Sequence, residues 1–266
     1  MPHRRRNENV DGRSYARSVQ VMTQEYHPSF PQPSNPSVLV WRYMDLPKLV
    51  SLLSKSELYL RRLDLLPDKY EGLYPRRVRK ALADHYATQG LTADQALELA
   101  NHRVDFSKES RQMMYVNCWR LDNFESEAMW RIYCRGDNGL AIVLPYEDLR
   151  TSIGTGVAWI GMVRYLDFEL DLLAPGNAFV VALHKRREFA YEQEARILGF
   201  GNVPFPTPQD RPDSISLPWP IDVIKKIVVS PYASPSYFEM VQNEVERLAA
   251  GLGVRVVHSV MAADPD

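Results

Sequence analysis

The densest group of ionisable residues in the chain is the segment His184–Arg196, which reads HKRREFAYEQEAR. Nine of its thirteen side chains can ionise, and their pattern changes along the segment. From Phe189 onwards apolar and polar residues alternate, which predicts a strand with Glu192, Glu194 and Arg196 on one face. An arginine beside two carboxylates would keep one of them ionised. Such a carboxylate can stabilise the oxocarbenium-like cation of glycosyl-transfer chemistry.

The first half of the same segment has a different predicted role. Residues 185–188 continue a helical pattern that begins after Gly176, and we expect them to form a solvated helix face. A second interpretation keeps the whole segment helical. Glu188, Glu192 and Arg196 would then form an i, i+4 ladder on a wet surface, without a catalytic role.

A second candidate group is Trp41-Arg42-Tyr43, which lies in the apolar run Val38–Met44 that predicts the first ordered strand. An arginine between two aromatic rings suits a bound phosphate or carboxylate, because its planar fork pairs bidentately while a ring stacks on a planar ligand. The alternative is that Arg42 packs over Trp41 with its charge in solvent.

Ser126, Trp130 and Tyr133 share one face of a predicted helix, at spacings i, i+4 and i+7. An aromatic stripe of this kind usually packs in the core. This stripe begins with polar residues at the helix start, directly after a strand. A ligand-facing edge is therefore the second interpretation of the stripe.

Three acids, Asp64, Asp68 and Glu71, lie close together in the loop after the predicted strand Glu57–Leu63. Divalent cations such as magnesium bind clustered carboxylates, and this set would suit a metal-dependent nuclease. However, the spacing matches no calcium loop, and acids in turns commonly bond their own backbone. The sequence therefore predicts no metal site.

The composition is that of an ordinary globular protein. Hydrophobic residues make up 45% and charged residues 24% of the 266 residues, which is enough chain to bury one large core. The formal net charge of -1 argues against a dedicated nucleic-acid binder, which carries a strongly basic domain. Two cysteines are too few for a disulfide framework. With no membrane-spanning stretch and no secretory signal, the sequence predicts a cytoplasmic protein.

The elements that must position these residues belong to one domain, predicted over residues 37–262. Residues 1–36 are rich in arginine and proline without apolar periodicity, which predicts a flexible arm. Asp45 is the predicted cap of the first helix, with Pro47 in the first turn. Strands and helices alternate irregularly, without strict βαβ order or a glycine-rich phosphate loop. The fold class is therefore α+β, a single domain with a mixed, largely antiparallel sheet flanked by helices.

Several motifs follow one another in a fixed order over residues 38–200. They read WRYM, LYLRRLDLLPDKYEG, VNCWR, ESEAMWRIY with GLAIVL, and HKRREFAYEQEARIL. Such an ordered series is far more specific than any single motif. It resembles a widespread prokaryotic family, the DUF2971-type domain of unknown function. The resemblance implies an α+β domain and brings no settled activity.

Arg42 and Glu192-Gln193-Glu194 carry a second, more distant resemblance, to the ADP-ribosyltransferases. That family uses an arginine or histidine on an early strand and a Glu-x-Glu or Gln-x-Glu on a late strand. The resemblance places Glu194 in the catalytic position and Glu192 in the acceptor-selecting position. The middle element departs from the family pattern, because Asn117-Cys118-Trp119 stands where a run of hydroxyl-bearing residues is expected.

This second resemblance implies an enzyme that consumes NAD, by ADP-ribosyl transfer or by NAD glycohydrolysis. Glu194 would stabilise the developing cation, Glu192 would orient the acceptor or water, and Arg42 would hold the phosphate or ribose. Either Tyr43 or Trp130 would stack on the nicotinamide. The cofactor-binding candidates as a set are Arg42, Tyr43, Trp119, Ser126, Trp130 and Arg196.

Two other hypotheses stay open. One is a non-catalytic regulatory module that binds a nucleotide or a protein partner, in phage defence or in a toxin system. Arg42 and Glu194 would then form a buried structural pair. The other is the metal-dependent nuclease built on the three loop acids. The sequence leaves the macromolecular acceptor and the oligomeric state open, and it predicts a small-molecule nucleotide as the partner.

Overall fold

The computed structural model describes residues 27–134, 137–154, 156, 158–174, 176–201 and 211–263. The strands are β1 (Leu39–Met44), β2 (Glu57–Arg62), β3 (Met114–Leu121), β4 (Leu140–Pro145), β5 (Ala158–Met162), β6 (Arg164–Leu166), β7 (His184–Arg186), β8 (Glu194–Phe200), β9 (Ser214–Pro218), β10 (Lys226–Val229) and β11 (Arg255–His258). The α-helices are α1 (Leu46–Lys55), α2 (Val78–Thr88), α3 (Ala93–Ser110), α4 (Glu127–Tyr133), α5 (Tyr146–Ser152), α6 (Ala178–Ala182) and α7 (Pro235–Leu248).

Local signals in the sequence account for the first helix. The Asp45 side chain accepts a hydrogen bond from the backbone N–H of Lys48, and Pro47 lies in the first turn. The helix ends at Ser56, which adopts the left-handed conformation with φ of 52°. Its buried face packs on the sheet through leucines. These are Leu46, Leu49, Leu52 and Leu53.

Most of the described strands form one mixed sheet, in the order β11-β10-β4-β1-β3-β2-β9, with β8 paired to β3 and β5 paired to β8. Every pairing in it is antiparallel except β10 with β11, while β6 and β7 form a separate parallel pair. The main core lies between one face of the sheet and helices α1, α5 and α7. The predicted α+β fold, with a largely antiparallel sheet flanked by helices, is confirmed.

Strand β3 is the branch point of the sheet. Along one edge it pairs with β8 from Met114 to Arg120. Along the other edge it pairs with β1 at Trp41–Arg120 and, further down, with β2 at Arg61–Val116. Between these two short ladders β1 and β2 diverge, and residues 117–119 of β3 face the gap. Side chains rather than strand backbone bridge this gap.

The structure describes the last ten residues of the predicted arm, and residues 1–26 of that prediction lie outside the described residues. Phe30 is 3% exposed and packs against Phe179 with ring centroids 5.2 Å apart. It also presses on β5, where a Cβ at Gly161 would lie 2.9 Å from the Phe30 Cβ. The end of the predicted arm is therefore anchored to the domain by an aromatic contact.

The prediction of a strand from Phe189 is wrong, because the strand begins only at Glu194. Residues Arg187–Glu192 form a 3-10 helix, and Gln193 then takes the left-handed conformation with φ of 42°. This turn interrupts the alternation on which the prediction rested. The part of the alternation that does lie in β8 places Glu194 and Arg196 on one face, as expected.

The predicted solvated helix face at residues 185–188 is also wrong. Residues His184–Arg186 form β7, and Lys185 is buried with 8% of its surface exposed. A lysine is buried only where partners compensate its charge, and the partners of Lys185 come from distant parts of the chain.

No helix in the described ranges combines the length and the apolar character needed to cross a lipid bilayer.

Candidate active site

Five charged side chains meet in the interior of the protein, where β7 and β8 begin. They come from the loop after β2, from β7, from the 3-10 helix and from β8. They are Glu71, Lys185, Glu192, Glu194 and Arg196. Their exposed fractions run from 0% for Arg196 to 8% for Lys185. Since a buried charge is costly unless it is paired, the partners of each member decide what this cluster can do.

Arg196 holds two carboxylates at once. Its Nε donates to Glu194 Oε1 at 2.7 Å and its Nη2 donates to Glu194 Oε2 at 2.9 Å, which makes a two-point contact. Its Nη1 donates to Glu71 Oε2 at 3.0 Å and to the Ala182 carbonyl at 2.6 Å. The guanidinium is thus surrounded by acceptors, and it fixes Glu194 in one orientation.

The Glu194 carboxylate is held ionised. Burial alone would raise the pKa of Glu194, but Arg196 and then Lys185 lower this pKa to about 2. The backbone N–H of Glu194 is also fixed, because it donates to the Tyr165 hydroxyl at 2.8 Å. At neutral pH the site therefore presents a fixed negative charge, as the stabilisation of a developing cation requires.

Lys185 joins the remaining carboxylate to the cluster. Its Nζ lies 2.5 Å from Glu192 Oε2, 3.1 Å from Glu71 Oε1 and 3.5 Å from Glu194 Oε2. Burial would lower the pKa of Lys185, but Glu194 and Glu71 raise this pKa above its ordinary value. The other oxygen of Glu192 accepts a hydrogen bond from the Tyr133 hydroxyl at 3.0 Å.

Arg42 belongs to β1, and its side chain reaches residue 118 of β3 in the gap between β1 and β2. Its side chain is half-buried, and Nη1 donates to the carbonyl oxygen of Cys118. Burial lowers the pKa of Arg42, while the negative charge of Glu194 acts in the opposite direction. The structure therefore brings Arg42 and Glu194 into one electrostatic neighbourhood. Within the described residues Arg42 and Glu194 form no direct ion pair. The cations that pair with Glu194 are Arg196 and Lys185.

Cys118 connects Arg42 with Glu194. Its carbonyl accepts the Arg42 guanidinium, and its thiol lies beside the Glu194 carboxylate. Burial and then the charge of Glu194 raise the pKa of the Cys118 thiol, so it stays protonated at neutral pH. A protonated thiol is a weak hydrogen-bond donor. Cys118 thus occupies the place where the resemblance led us to expect a hydroxyl.

Three of the predicted cofactor-binding residues form the packing between β1 and α4 instead of an open surface. Trp130 is 1% exposed and meets the ring of Tyr43 edge-on, with centroids 4.7 Å apart. The Tyr43 hydroxyl accepts the backbone N–H of Ser126 at 3.1 Å, and Ser126 caps α4. Neither ring offers a free face for stacking in this structure. Tyr133, at the end of the same helix, is the residue of the stripe that reaches the cluster.

Trp119 lies on the opposite face of β3 from the cluster. It pairs with Ala195, the neighbour of Glu194 in β8, and it is 1% exposed in the main core. Its Nε1 donates to Asn117 Oδ1 at 2.6 Å, and Asn117 in turn donates to the Tyr59 carbonyl at 2.9 Å. Asn117 and Trp119 therefore fill the gap next to β2, away from Glu194.

The three loop acids do not converge. Asp64 pairs with Arg62 at 2.7 Å and Asp68 pairs with Arg186 at 2.9 Å, while Glu71 belongs to the buried cluster. Among the described residues no group of three or more histidine, cysteine or acidic side chains is arranged to hold a metal ion. This geometry gives the nuclease hypothesis no support.

Sequence reasoning missed Lys185 and did not assign Tyr133 to the site. Lys185 lies shortly after the apolar helix α6, and no glycine or proline separates the two. The local sequence therefore does not show that the helix ends and that a strand begins at His184. Tyr133 could have been found, because it lies seven residues after Ser126 on the helical face that the sequence already singles out.

No protein-family model matches the chain, so the DUF2971 resemblance stays a prediction, and no curated protein matches either. Among solved structures, the chain is similar to Thermus sp. 2.9 DarT in complex with NAD+, at 12% identity and a TM-score of 0.42. That match covers 88% of this chain and 100% of the other. It is also similar to Thermus sp. 2.9 DarT in complex with carba-NAD+, at 12% identity and a TM-score of 0.38, over 85% of this chain and 96% of the other.

Proposed function

We propose that the chain is an NAD-consuming enzyme of the ADP-ribosyltransferase type, which transfers ADP-ribose to an acceptor or hydrolyses NAD. The observation that supports this most is that the ionised carboxylate of Glu194 and the guanidinium of Arg42 both contact Cys118, Glu194 at the thiol and Arg42 at the carbonyl oxygen. A fixed anion next to a half-buried guanidinium provides one group for a developing sugar cation and one for a phosphate or ribose.

In this proposal Glu194 stabilises the cation that forms when the bond between ribose and nicotinamide breaks. The bonding electrons leave with neutral nicotinamide, and the acceptor oxygen or water then attacks the anomeric carbon. Glu192 orients that nucleophile and takes its proton, since one of its oxygens faces Tyr133 at the rim of the cluster. Arg42 holds the phosphate or ribose oxygens of NAD.

Access to Glu194 sets a condition on this mechanism. Glu194 is 4% exposed, whereas Tyr133 is 41% exposed and covers Glu192 through its hydroxyl. A substrate that approaches along Arg42 must therefore displace the Tyr133 side chain from Glu192. Because α4 ends at Tyr133, this side chain can turn outward without breaking the helix.

The proposal is tested by incubating the protein with NAD and measuring the release of nicotinamide. We expect the wild type to release nicotinamide. Glu194→Gln should release it at least about 100-fold more slowly, because the variant lacks the fixed negative charge that stabilises the transition state. The matched control is Glu188→Gln, which removes an exposed carboxylate from the same segment and should leave the rate unchanged. A folded wild type that releases no nicotinamide, with any of several acceptors present, would contradict the proposal.

A second candidate function is the non-catalytic nucleotide-binding module. The observation in its favour is that both oxygens of Glu194 are already bonded to Arg196, so the carboxylate needs no ligand to be satisfied. Such a module would bind NAD, seen as a rise in melting temperature, and would leave it intact. An Arg42→Met variant should abolish that rise. The predicted role in phage defence or in a toxin system, given above for the module, fits the catalytic proposal as well, since an enzyme that depletes NAD can arrest the cell that makes it.

A further inference from the structure

Glu192, like Glu71, lies outside the strands that carry the other members of the cluster. It ends the 3-10 helix, and the next residue, Gln193, has the left-handed backbone conformation. Its carboxylate nevertheless has a fixed place, with one oxygen bonded to Tyr133 and the other 2.5 Å from Lys185 Nζ. Within the described ranges, Lys185 is the cation that forms an ion pair with Glu192.

Lys185 is placed to join this turn to β8. Its Nζ donates hydrogen bonds to Glu192 Oε2 at 2.5 Å and to Glu194 Oε2 at 3.5 Å, and it also forms an ion pair with Glu71 Oε1 at 3.1 Å. Arg196 forms ion pairs with Glu71 and Glu194, and among the described residues it forms none with Glu192. Lys185 is therefore the cation of the cluster that contacts both Glu192 and Glu194.

We infer that Lys185 is a positioning residue, which holds the nucleophile-orienting Glu192 at a fixed separation from the cation-stabilising Glu194. The roles of the two glutamates rest on the proposed function, whereas the electrostatic part of the inference does not. Loss of Lys185 would release the Glu192 turn and would remove one of the two cations that keep Glu194 ionised.

The neighbouring residue supplies a matched control. Arg186 is the next residue in β7, but its guanidinium pairs with Asp68 and stacks on Tyr70, away from the cluster. Arg186→Met therefore removes a positive charge from the same strand without touching Glu192 or Glu194. A general effect of lost positive charge would appear in both variants, whereas a positioning effect would appear only at Lys185.

The first experiment measures cleavage of NAD as a function of pH, with methanol as a probe acceptor. For Lys185→Met we expect a rate about tenfold lower, as for a misplaced reacting group. We also expect less methyl ADP-ribose relative to ADP-ribose, and an acid limb of the pH profile that moves to higher pH. Arg186→Met should keep the wild-type profile. A Lys185→Met enzyme that keeps the wild-type rate, product ratio and profile would overturn the inference.

The second experiment needs no turnover and separates the two proposals. Carboxyl-labelled glutamate is titrated by NMR in the ligand-free protein, and the Glu194 signal is assigned by its loss in Glu194→Gln. We expect Glu194 in Lys185→Met to titrate at least about one pH unit higher than in the wild type, and Arg186→Met to show no change. If Lys185→Met does not fold, Lys185→Gln keeps N–H donors without the charge. An unchanged Glu194 titration would refute the role of Lys185, whatever the outcome with NAD.

Discussion

Two arginine–glutamate pairs in this protein have similar distances and very different surroundings. Arg196 Nε lies 2.7 Å from Glu194 Oε1, and Arg247 Nη2 lies 2.5 Å from Glu244 Oε2 on helix α7. The first pair has side chains that are 0% and 4% exposed, and the second has side chains that are 58% and 31% exposed. The same residue types thus form one pair deep in the core and one on the surface.

The comparison shows that distance alone does not give the energetic weight of an ion pair. On α7 both charges are already solvated, so their pairing contributes only a few tenths of a kcal/mol. In β8 both charges have lost their water, and each now depends on the other. The buried pair therefore need not stabilise the fold more than apolar residues would, but removing one partner is costly.

The largest expected effect comes from breaking the buried pair. Arg196→Met should lower the free energy of unfolding by about 3–5 kcal/mol, because it leaves Glu71 and Glu194 buried with Lys185 as their remaining cation. Urea unfolding at neutral pH measures this value. Arg247→Met, the matched control, should cost less than about 1 kcal/mol. Equal losses in the two variants would show that burial does not distinguish the pairs.

The pH dependence of stability gives the next effect. Glu194 has a pKa of about 2 in the folded protein and an ordinary value of 4.5, so its folded-state pKa is lowered. The stability it contributes is therefore present above about pH 4.5 and is lost as the pH falls towards 2. Between about pH 6 and pH 3 the loss should be about 2 kcal/mol for this group. Unfolding in urea across this range measures the loss.

The control for the pH prediction is Glu194→Gln, which cannot titrate at this position. Its stability should depend less on pH than that of the wild type over the same range, by about the same 2 kcal/mol. If the two proteins show parallel curves, the acid sensitivity of the wild type comes from other carboxylates.

The two pairs are alike in how far the sequence predicts them. An arginine three residues after a glutamate on a helix is expected to meet it on the surface, so the α7 pair follows from spacing. Strand alternation likewise predicted that Glu194 and Arg196 share a face. In both cases the contact is local, and the local pattern is sufficient.

What the sequence did not predict is non-local. The burial of Lys185 depends on Glu71, which belongs to a loop much earlier in the chain. The turn at Gln193 depends on a left-handed conformation that glutamine rarely adopts, so no residue preference marks it. The positions of Trp119 and Trp130 depend on which face of the sheet is covered by helices. These features follow from tertiary packing, which overrides the local pattern.

The smallest expected effect concerns the surface pair itself. A double-mutant cycle with Arg247→Met and Glu244→Gln should give a coupling energy of about 0.3–0.5 kcal/mol at low salt. At about 1 M salt the screening length falls to about 3 Å, so this coupling should nearly vanish. The loss caused by Arg196→Met should change little with salt, because counterions do not reach a side chain that is 0% exposed. A salt-sensitive Arg196 effect would mean that water enters the cluster, and it would bring Glu194 within reach of a ligand.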